Sequence, residues 1–144
     1  MKRIIRCVAF FLAVVMLIAT PSFAAEQSAV RGSSYFASSS VYLYKISDTS
    51  FRAWFHVTAT CGMDKLGASS VRIQESEDGI NWTTVQTYRS DVYTNFIAED
   101  TGSHSSYATY TGTRGMYYRA IIILYAEDGN GWAEVTEYTA TMKL

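Results

Sequence analysis

The sequence predicts an all-β protein that folds as a single antiparallel β-sandwich of about seven strands. The chain beyond its N-terminal segment is rich in Tyr, Thr, Ser and Val, residue types that favour strands. Several segments alternate apolar and polar residues with a period of two, and helical periodicity is missing. Short turns separate these segments, which is typical of a sandwich with Greek-key connections. A closed seven-stranded barrel is the alternative architecture.

The N-terminal 24 residues have the layout of a secretory signal peptide. Basic residues precede an uncharged apolar run of 13 residues, Cys7 to Ala19, which is shorter than the roughly 18 that a membrane-spanning helix needs. We expect cleavage between Ala24 and Ala25, because Ser22 and Ala24 then occupy the third and first positions before the cut. The prediction is a signal peptide over 1–24, a flexible leader over 25–33 and one domain over 34–144.

The predicted secreted chain is mildly acidic and contains one cysteine. Removing residues 1–24 leaves 9 basic and 13 acidic residues without a basic cluster, which argues against nucleic acid as a partner. We therefore expect an extracellular protein, free or associated with the cell surface, with no membrane contact after cleavage. Cys61 cannot form an internal disulfide; we expect a buried free thiol, with intermolecular pairing as the alternative.

Seven segments are predicted to be strands. The clearest runs from Phe51 to Cys61, where Phe51, Phe55 and Cys61 fall on one face and Trp54 and His56 on the other. We expect the stretch 62–70 to be a loop. Apolar residues occupy both faces of the sixth segment, which predicts a central position in the sheet. The segments are 35–46, 51–61, 70–76, 81–89, 105–111, 116–126 and 132–142.

A hexapeptide pattern occurs twice, EDGINW at 77–82 and EDGNGW at 127–132. Asp-Gly between alternating strands predicts a tight hairpin, because Gly accepts positive φ and Asp bonds nearby backbone donors. Trp82 and Trp132 follow the two turns and can cover them. The second copy lacks the acid of a calcium loop, since Thr139 stands at its twelfth position. We predict no metal and no cofactor.

The chain offers little for catalysis. Its only histidines are His56 and His104, and a nucleophile–base pair needs a third group to orient the base. We expect both histidines on the surface and the acidic residues mainly in solvated turns, where they do not form the carboxylate pair of a glycosidase. We predict that the protein is not an enzyme.

Two stretches resemble fibronectin type III domains, a family of immunoglobulin-like β-sandwiches. SVRIQESEDGINWTTV at 70–85 looks like the third-strand hairpin of that family, and YYRAIIILYAEDGNGW at 117–132 resembles its sixth strand and the following turn. The resemblance implies an immunoglobulin-like or fibronectin type III-like Greek key. It also implies that Tyr118 is the sixth-strand tyrosine that docks at a corner of the sandwich.

A second resemblance extends over nearly the whole predicted secreted chain. The segments RGSSYF, GMDKLGASSVRIQES and GSHSSYATYTGTRGMYYRA look like a family of small secreted proteins from Gram-positive, Firmicutes-type, largely gut-dwelling bacteria that contain a domain of unknown function. This resemblance implies a compartment and a kind of source. It implies no activity and transfers no functional residue.

The remaining functional signal is aromatic, because 11 Tyr and 3 Trp exceed what one small core takes in. Exposed aromatic side chains stack on sugars or anchor protein partners, whereas cross-strand aromatic pairing stabilises a sheet without any ligand. We predict extracellular recognition or adhesion, with an unidentified protein or glycan as partner. A small carbohydrate-binding or glycan-acting protein is the alternative. The candidate ligand contacts are Trp54, His56, Trp82 and Trp132.

Overall fold

The computed structural model describes residues 34–144, which form an antiparallel all-β domain and confirm the predicted fold class. The predicted signal peptide, its cleavage site at Ala24 and Ala25, and the leader lie outside the described residues. A single turn of 3₁₀ helix, Thr94–Phe96, precedes the fourth strand. The strands are β1 Phe36–Lys45, β2 Ser50–Ser76, β3 Thr83–Arg89, β4 Ile97–Thr111, β5 Tyr117–Asp128, β6 Gly131–Tyr138 and β7 Met142–Lys143.

The second strand is 27 residues long and passes through the stretch 62–70, where the sequence predicts a loop. That prediction is wrong because Met63, Leu66 and Ala68 are all buried and hold this stretch in the core as extended chain. An irregularity between Thr58 and Met63 shifts the register with β4. Bulges of this kind bend a strand and increase its twist, so one strand can serve both halves of the domain.

The sheet has two halves that share β2. In the three-stranded half, the beginning of β2 lies between β1 and β4. In the four-stranded half, the end of β2 lies between β3 and β5, and β6 follows β5. The short β7 pairs with the beginning of β5. The structure has seven strands, as predicted, but they are not the same seven. The predicted segments 51–61 and 70–76 both belong to β2, and β7 is an additional strand.

Side chains connect the outer strands of the two halves. Ser39 on β1 donates a hydrogen bond to Glu137 on β6 at 2.9 Å. On the opposite side, the hydroxyl of Tyr88 on β3 donates to the carbonyl of Thr109 on β4 at 2.8 Å. Within residues 34–144, no backbone ladder joins β1 to β6 or β3 to β4. The sheet is curled and open, which differs from the closed barrel considered above.

The inner faces of both halves meet in one aromatic core. Phe51 and Tyr118 are fully buried, and their ring centroids lie 5.1 Å apart across the two halves. Farther along the core, Phe55 packs edge-on against Phe96 at 5.8 Å. Aromatic pairs in this geometry add about 0.5–1.5 kcal/mol beyond the burial of their area. This core gives the domain its stability without a disulfide.

Cys61 lies on the surface, so the prediction of a buried thiol is wrong. The prediction assumes that the alternation of buried residues seen at Phe51 and Phe55 continues to Cys61. The register shift between Thr58 and Met63 interrupts the alternation at Cys61. The thiol is free within the described residues.

Candidate functional site

Both repeated hexapeptides connect the strands of a hairpin. The predicted tight turn is present in the second copy, where Asp128 pairs with Gly131 across two residues, whereas the first copy is a six-residue loop between β2 and β3. The carboxylate of Asp78 accepts hydrogen bonds from the backbone of Ile80 and Asn81, each at 2.8 Å, and Gly79 adopts φ 73°. In the second turn, Asp128 accepts a 2.8 Å bond from the backbone of Asn130. The antiparallel register of β2 and β5 puts the turns at opposite ends of the four-stranded half, so they do not form one joint site.

We expect the first turn to give the domain an acid-sensitive contribution to its stability. The backbone N–H of Asn81 and that of Ile80, followed by the side chains of Asn81 and Ser76, hold the pKa of Asp78 well below its usual range. A depressed folded-state pKa stabilises the fold above the unfolded pKa of about 4, and this stabilisation is lost progressively as the pH falls from there towards the folded-state pKa. Asp78→Asn should therefore lower the urea midpoint at pH 7 by more than it does at pH 3.

Glu77→Gln is the matched control for this measurement. Glu77 is exposed and, within residues 34–144, makes no hydrogen bond through its side chain. Its substitution should change the two midpoints little. An equal loss of stability at both pH values in Asp78→Asn would show that the carboxylate charge is not what the turn uses.

Trp82 and Trp132 both lie on the outer face of the four-stranded half, near its two ends. The guanidinium of Arg119 lies over the Trp82 ring, 4.4 Å from its centroid, so one ring face is covered. Trp132 is 65% exposed and stacks against Tyr125 with centroids 6.4 Å apart. Only Trp132 therefore combines a supported ring with a large area open to a ligand.

Trp54 is the centre of a row of three rings on the outer face of the three-stranded half, which we call the aromatic row: Tyr42, Trp54 and Tyr107. These residues are direct cross-strand partners. The Tyr42 ring is parallel to that of Trp54, with centroids 6.3 Å apart, and the Tyr107 ring lies 5.2 Å from Trp54 on the other side. Rings on both sides leave Trp54 half-buried, while Tyr42 stays 47% and Tyr107 37% exposed.

Polar and charged side chains extend the aromatic row. The Arg52 guanidinium lies over the Tyr107 ring at 4.4 Å, and the Arg52 Nε is buried without a hydrogen-bond partner in the described part of the chain. Tyr44 lies opposite Arg52 on β1 and is 57% exposed. Aromatic rings next to an arginine are typical of the centre of protein interfaces.

His56 lies beside the aromatic row, on the outer face where the alternation places it. Its Nδ1 is 2.6 Å from the hydroxyl of Ser105 and its Nε2 is 3.2 Å from that of Thr58. A serine–histidine pair becomes a nucleophile and base when a carboxylate orients the imidazole and stabilises its charge. Here a hydroxyl occupies that third position, so the contacts hold the ring in place without supplying that charge.

His104 is half-buried on the inner face of β4, at the edge of the core. Its ring centroid lies 5.9 Å from that of Phe55, and its Nε2 is 2.9 Å from the carbonyl of Asn95. Ser106 on β4 faces inward. His104 is two residues earlier on the same strand and therefore faces the same side. The two histidines are thus on opposite faces of the three-stranded half.

A shallow groove of about 380 Å³ crosses the outer face of the four-stranded half. Sequence reasoning missed it because the groove depends on which residues of β2, β3, β5 and β6 lie side by side, and strand register is not readable from the separate segments. The alternation of Arg72 with Val71 and Ile73 was the available signal for an outward cation. The lining residues are Ser69, Ser70, Arg72, Thr87, Arg89, Ile123 and Glu134.

Neither a metal-binding cluster nor a membrane-spanning helix occurs within residues 34–144. Within that range, no group of three or more His, Cys, Asp or Glu side chains is arranged to hold a metal ion. The same residues include no helix of the length and apolarity that crossing a membrane requires.

Comparison with known proteins adds a structural likeness but no family. No family model matches the chain, and no curated protein matches it. Among solved structures, the chain is similar to Spo0M, a sporulation control protein from Bacillus subtilis, with 10% sequence identity and a TM-score of 0.45. The likeness covers 73% of this chain and 47% of that one, so this chain spans about half the length of Spo0M. A likeness at this level assigns no activity to the chain.

Proposed function

We propose that the protein is a secreted, non-enzymatic recognition module that binds a protein at or near the cell surface through the aromatic row. The observation that carries the proposal is the row itself, three contacting rings on the outer face of the three-stranded half. Tyr, Trp and Arg provide large contact area at low entropic cost. The layout of residues 1–24 supports secretion, and the acidic chain without a basic cluster fits a partner other than nucleic acid.

The arrangement of the strands supports the proposal that the domain has an immunoglobulin-like or fibronectin type III-like fold. The two halves of the sheet, with a hairpin between β5 and β6, are arranged like the two sheets of such domains, except that here β2 continues through both halves. In those domains, a tyrosine near the beginning of the sixth strand, which corresponds to β5 here, forms a hydrogen bond with the backbone a few residues upstream. The Tyr118 hydroxyl accepts a 2.7 Å hydrogen bond from the backbone of Thr113, as the resemblance implies.

The geometry of the row favours a protein over a glycan as its ligand. A sugar ring stacks on an open aromatic face, whereas Trp54 has rings on both sides. The parts of the row open to solvent belong mainly to Tyr42 and Tyr107. Tyrosine offers both apolar area and a hydroxyl to the mixed surface of a protein.

We expect Trp54→Ala to reduce binding of labelled residues 25–144 to cells of the producing bacterium by tenfold or more, the usual effect of losing an aromatic anchor at the centre of an interface. Because the substitution also removes ring packing, Tyr42→Glu is the second variant; it puts a charge at the exposed end of the row. Tyr138→Ala, at an equally exposed tyrosine on the other half, is the matched control and should bind normally.

Treating the cells with protease or with periodate identifies the class of ligand. Shaving the surface with protease should abolish binding, and oxidising surface sugars with periodate should leave it intact. A glycan array probed with the same protein provides an independent readout. Binding that survives protease, is lost with periodate and still depends on Trp54 would replace the protein partner with a glycan.

A further inference from the structure

The groove on the four-stranded half has the features of a second binding site, separate from the aromatic row. Its volume of about 380 Å³ falls within the range of small-molecule sites, about 300–1,000 Å³. It lies on the outer face of the sheet, whereas the aromatic row lies on the outer face of the other half. A ligand in the groove therefore makes no contact with Trp54.

Two arginines give the groove its charge. Arg72 lies opposite Thr87 on β3, and Arg89 lies two residues farther along that strand, opposite Ser70. Diagonal neighbours of this kind have Cβ atoms about 7–8 Å apart, so both guanidinium groups can reach one ligand of sugar-ring size. Arg72 is exposed and has no hydrogen bond or ion pair within residues 34–144. Arg89 has a single 3.5 Å contact, with the exposed Asp91.

The whole outer face is more basic than the rest of the domain. Residues 34–144 contain 8 basic and 12 acidic residues, yet the strand residues of this face include five basic and two acidic ones. An anion is the ligand that this excess of positive charge favours, and arginine binds a carboxylate through two parallel N–H groups. The basic residues are Lys65, Arg72, Arg89, Arg119 and Lys143, and the acidic ones are Glu127 and Glu134.

The other lining groups suit a saccharide better than a peptide. The central strands β2 and β5 are paired on both sides, so their backbone groups are occupied and a peptide on this face gains no main-chain pairing. Ser70 and Thr87 offer hydroxyls, and Glu134 offers an acceptor for sugar hydroxyl groups. Trp132 precedes Glu134 by two residues on the same face of β6, next to Tyr125, and its indole is 65% exposed.

We propose that this groove binds a carboxylate-bearing saccharide of the uronic-acid class, with Arg72 and Arg89 holding the carboxylate and Trp132, outside the groove, stacking on a sugar ring farther along the same ligand. The apolar side chain of Ile123 forms part of the lining and contacts the less polar side of the sugar. The proposal does not depend on the function of the aromatic row. A ligand of several sugar units is required, because the arginines and Trp132 are at different positions along the face.

The test is a titration of residues 25–144 with a galacturonate trimer. Binding is monitored by tryptophan fluorescence and by calorimetry. The expected result is saturable binding that is absent for the methyl-esterified trimer, which has the same rings without the charge. Arg72→Gln should weaken binding about tenfold, the effect of losing a hydrogen-bonded charge. Trp132→Ala should weaken binding and remove the fluorescence change. Arg114→Gln, at an exposed arginine outside the groove, should leave binding unchanged.

Three outcomes would overturn the proposal. The first is no binding of the trimer at millimolar concentration. The second is equal binding of the trimer and its methyl ester. The third is equal or tighter binding of a hexapeptide of Asp and Glu, which would assign the groove to acidic peptides. The Tyr42→Glu variant should bind the trimer normally. Loss of trimer binding in the groove can therefore be distinguished from loss of cell binding by the aromatic row.

Discussion

Replacing Gly67 with alanine should unfold the domain or lower its free energy of unfolding by about 4 kcal/mol or more. A Cβ atom at this position would lie 1.9 Å from the carbonyl oxygen of Phe96 and 2.9 Å from its carbonyl carbon. Both are backbone atoms, and the next residue, Ile97, pairs with Gly67 in the β2–β4 ladder. The overlap can be relieved only by separating the strands where β2 passes from one half to the other. Circular dichroism and thermal unfolding measure the effect.

Gly62→Ala is the control for this prediction. Gly62 lies on the same strand, but a Cβ there meets no atom within 4 Å in the described structure, so the variant should unfold close to the wild-type temperature. If Gly67→Ala also unfolded within a few degrees of wild type, the close approach of β2 and Phe96 would be disproved.

Tyr118→Phe should lower the free energy of unfolding by about 3 kcal/mol, although it removes only one hydroxyl group. The Tyr118 hydroxyl accepts a hydrogen bond from the backbone N–H of Thr113 and donates one to the carboxylate of Glu75. Losing a hydrogen bond to a charged group costs about 1.5–3 kcal/mol, and losing the bond from the Thr113 N–H adds about 0.5–1.5 kcal/mol. Burial, together with the Glu75 contact, raises the pKa of Tyr118, so the hydroxyl keeps its proton at neutral pH.

Tyr110→Phe is the matched control for the loss of the hydroxyl. Its ring lies 5.9 Å from that of Tyr118 and packs on the same core, but within residues 34–144 its hydroxyl makes no hydrogen bond. Urea denaturation of both variants should separate a large loss at Tyr118 from a small one at Tyr110. Equal losses would mean that the corner contact contributes no more than ordinary packing.

The all-β class was predictable because alternation is a local property of the chain. Phe51, Trp54 and His56 lie on the faces that a period of two assigns to them, and the Asp-Gly turns occur where the hexapeptides predict them. Turn chemistry is also local, since Asp78 bonds the backbone within three residues of itself.

What could not be predicted depends on contacts between distant segments. The stretch 62–70 contains glycines and charged residues that resemble a loop, but Gly67 is needed for a close approach to Phe96, about 30 residues later. The exposure of Cys61 depends on a register shift that no local pattern encodes. The groove likewise exists only because Arg72, Arg89 and Glu134 come from three strands.

The two outer faces offer different chemistry. One presents aromatic rings with an arginine and a histidine, and the other presents a basic groove with an exposed tryptophan. This difference supports the two proposals, a protein partner on one side and a small acidic ligand on the other. The variants above separate these two activities from each other and from folding.

The most direct test of the central claim is hydroxyl-radical footprinting of residues 25–144 bound to the surface of the producing cells, compared with the free protein. Radicals oxidise exposed aromatic side chains, so the method reports on the row itself. We predict slower oxidation of Tyr42, Tyr44 and Tyr107 in the bound protein and an unchanged rate at Tyr138 on the other half. Unchanged rates at Tyr42, Tyr44 and Tyr107, with the protein demonstrably bound, would contradict the assignment of the aromatic row as the recognition surface.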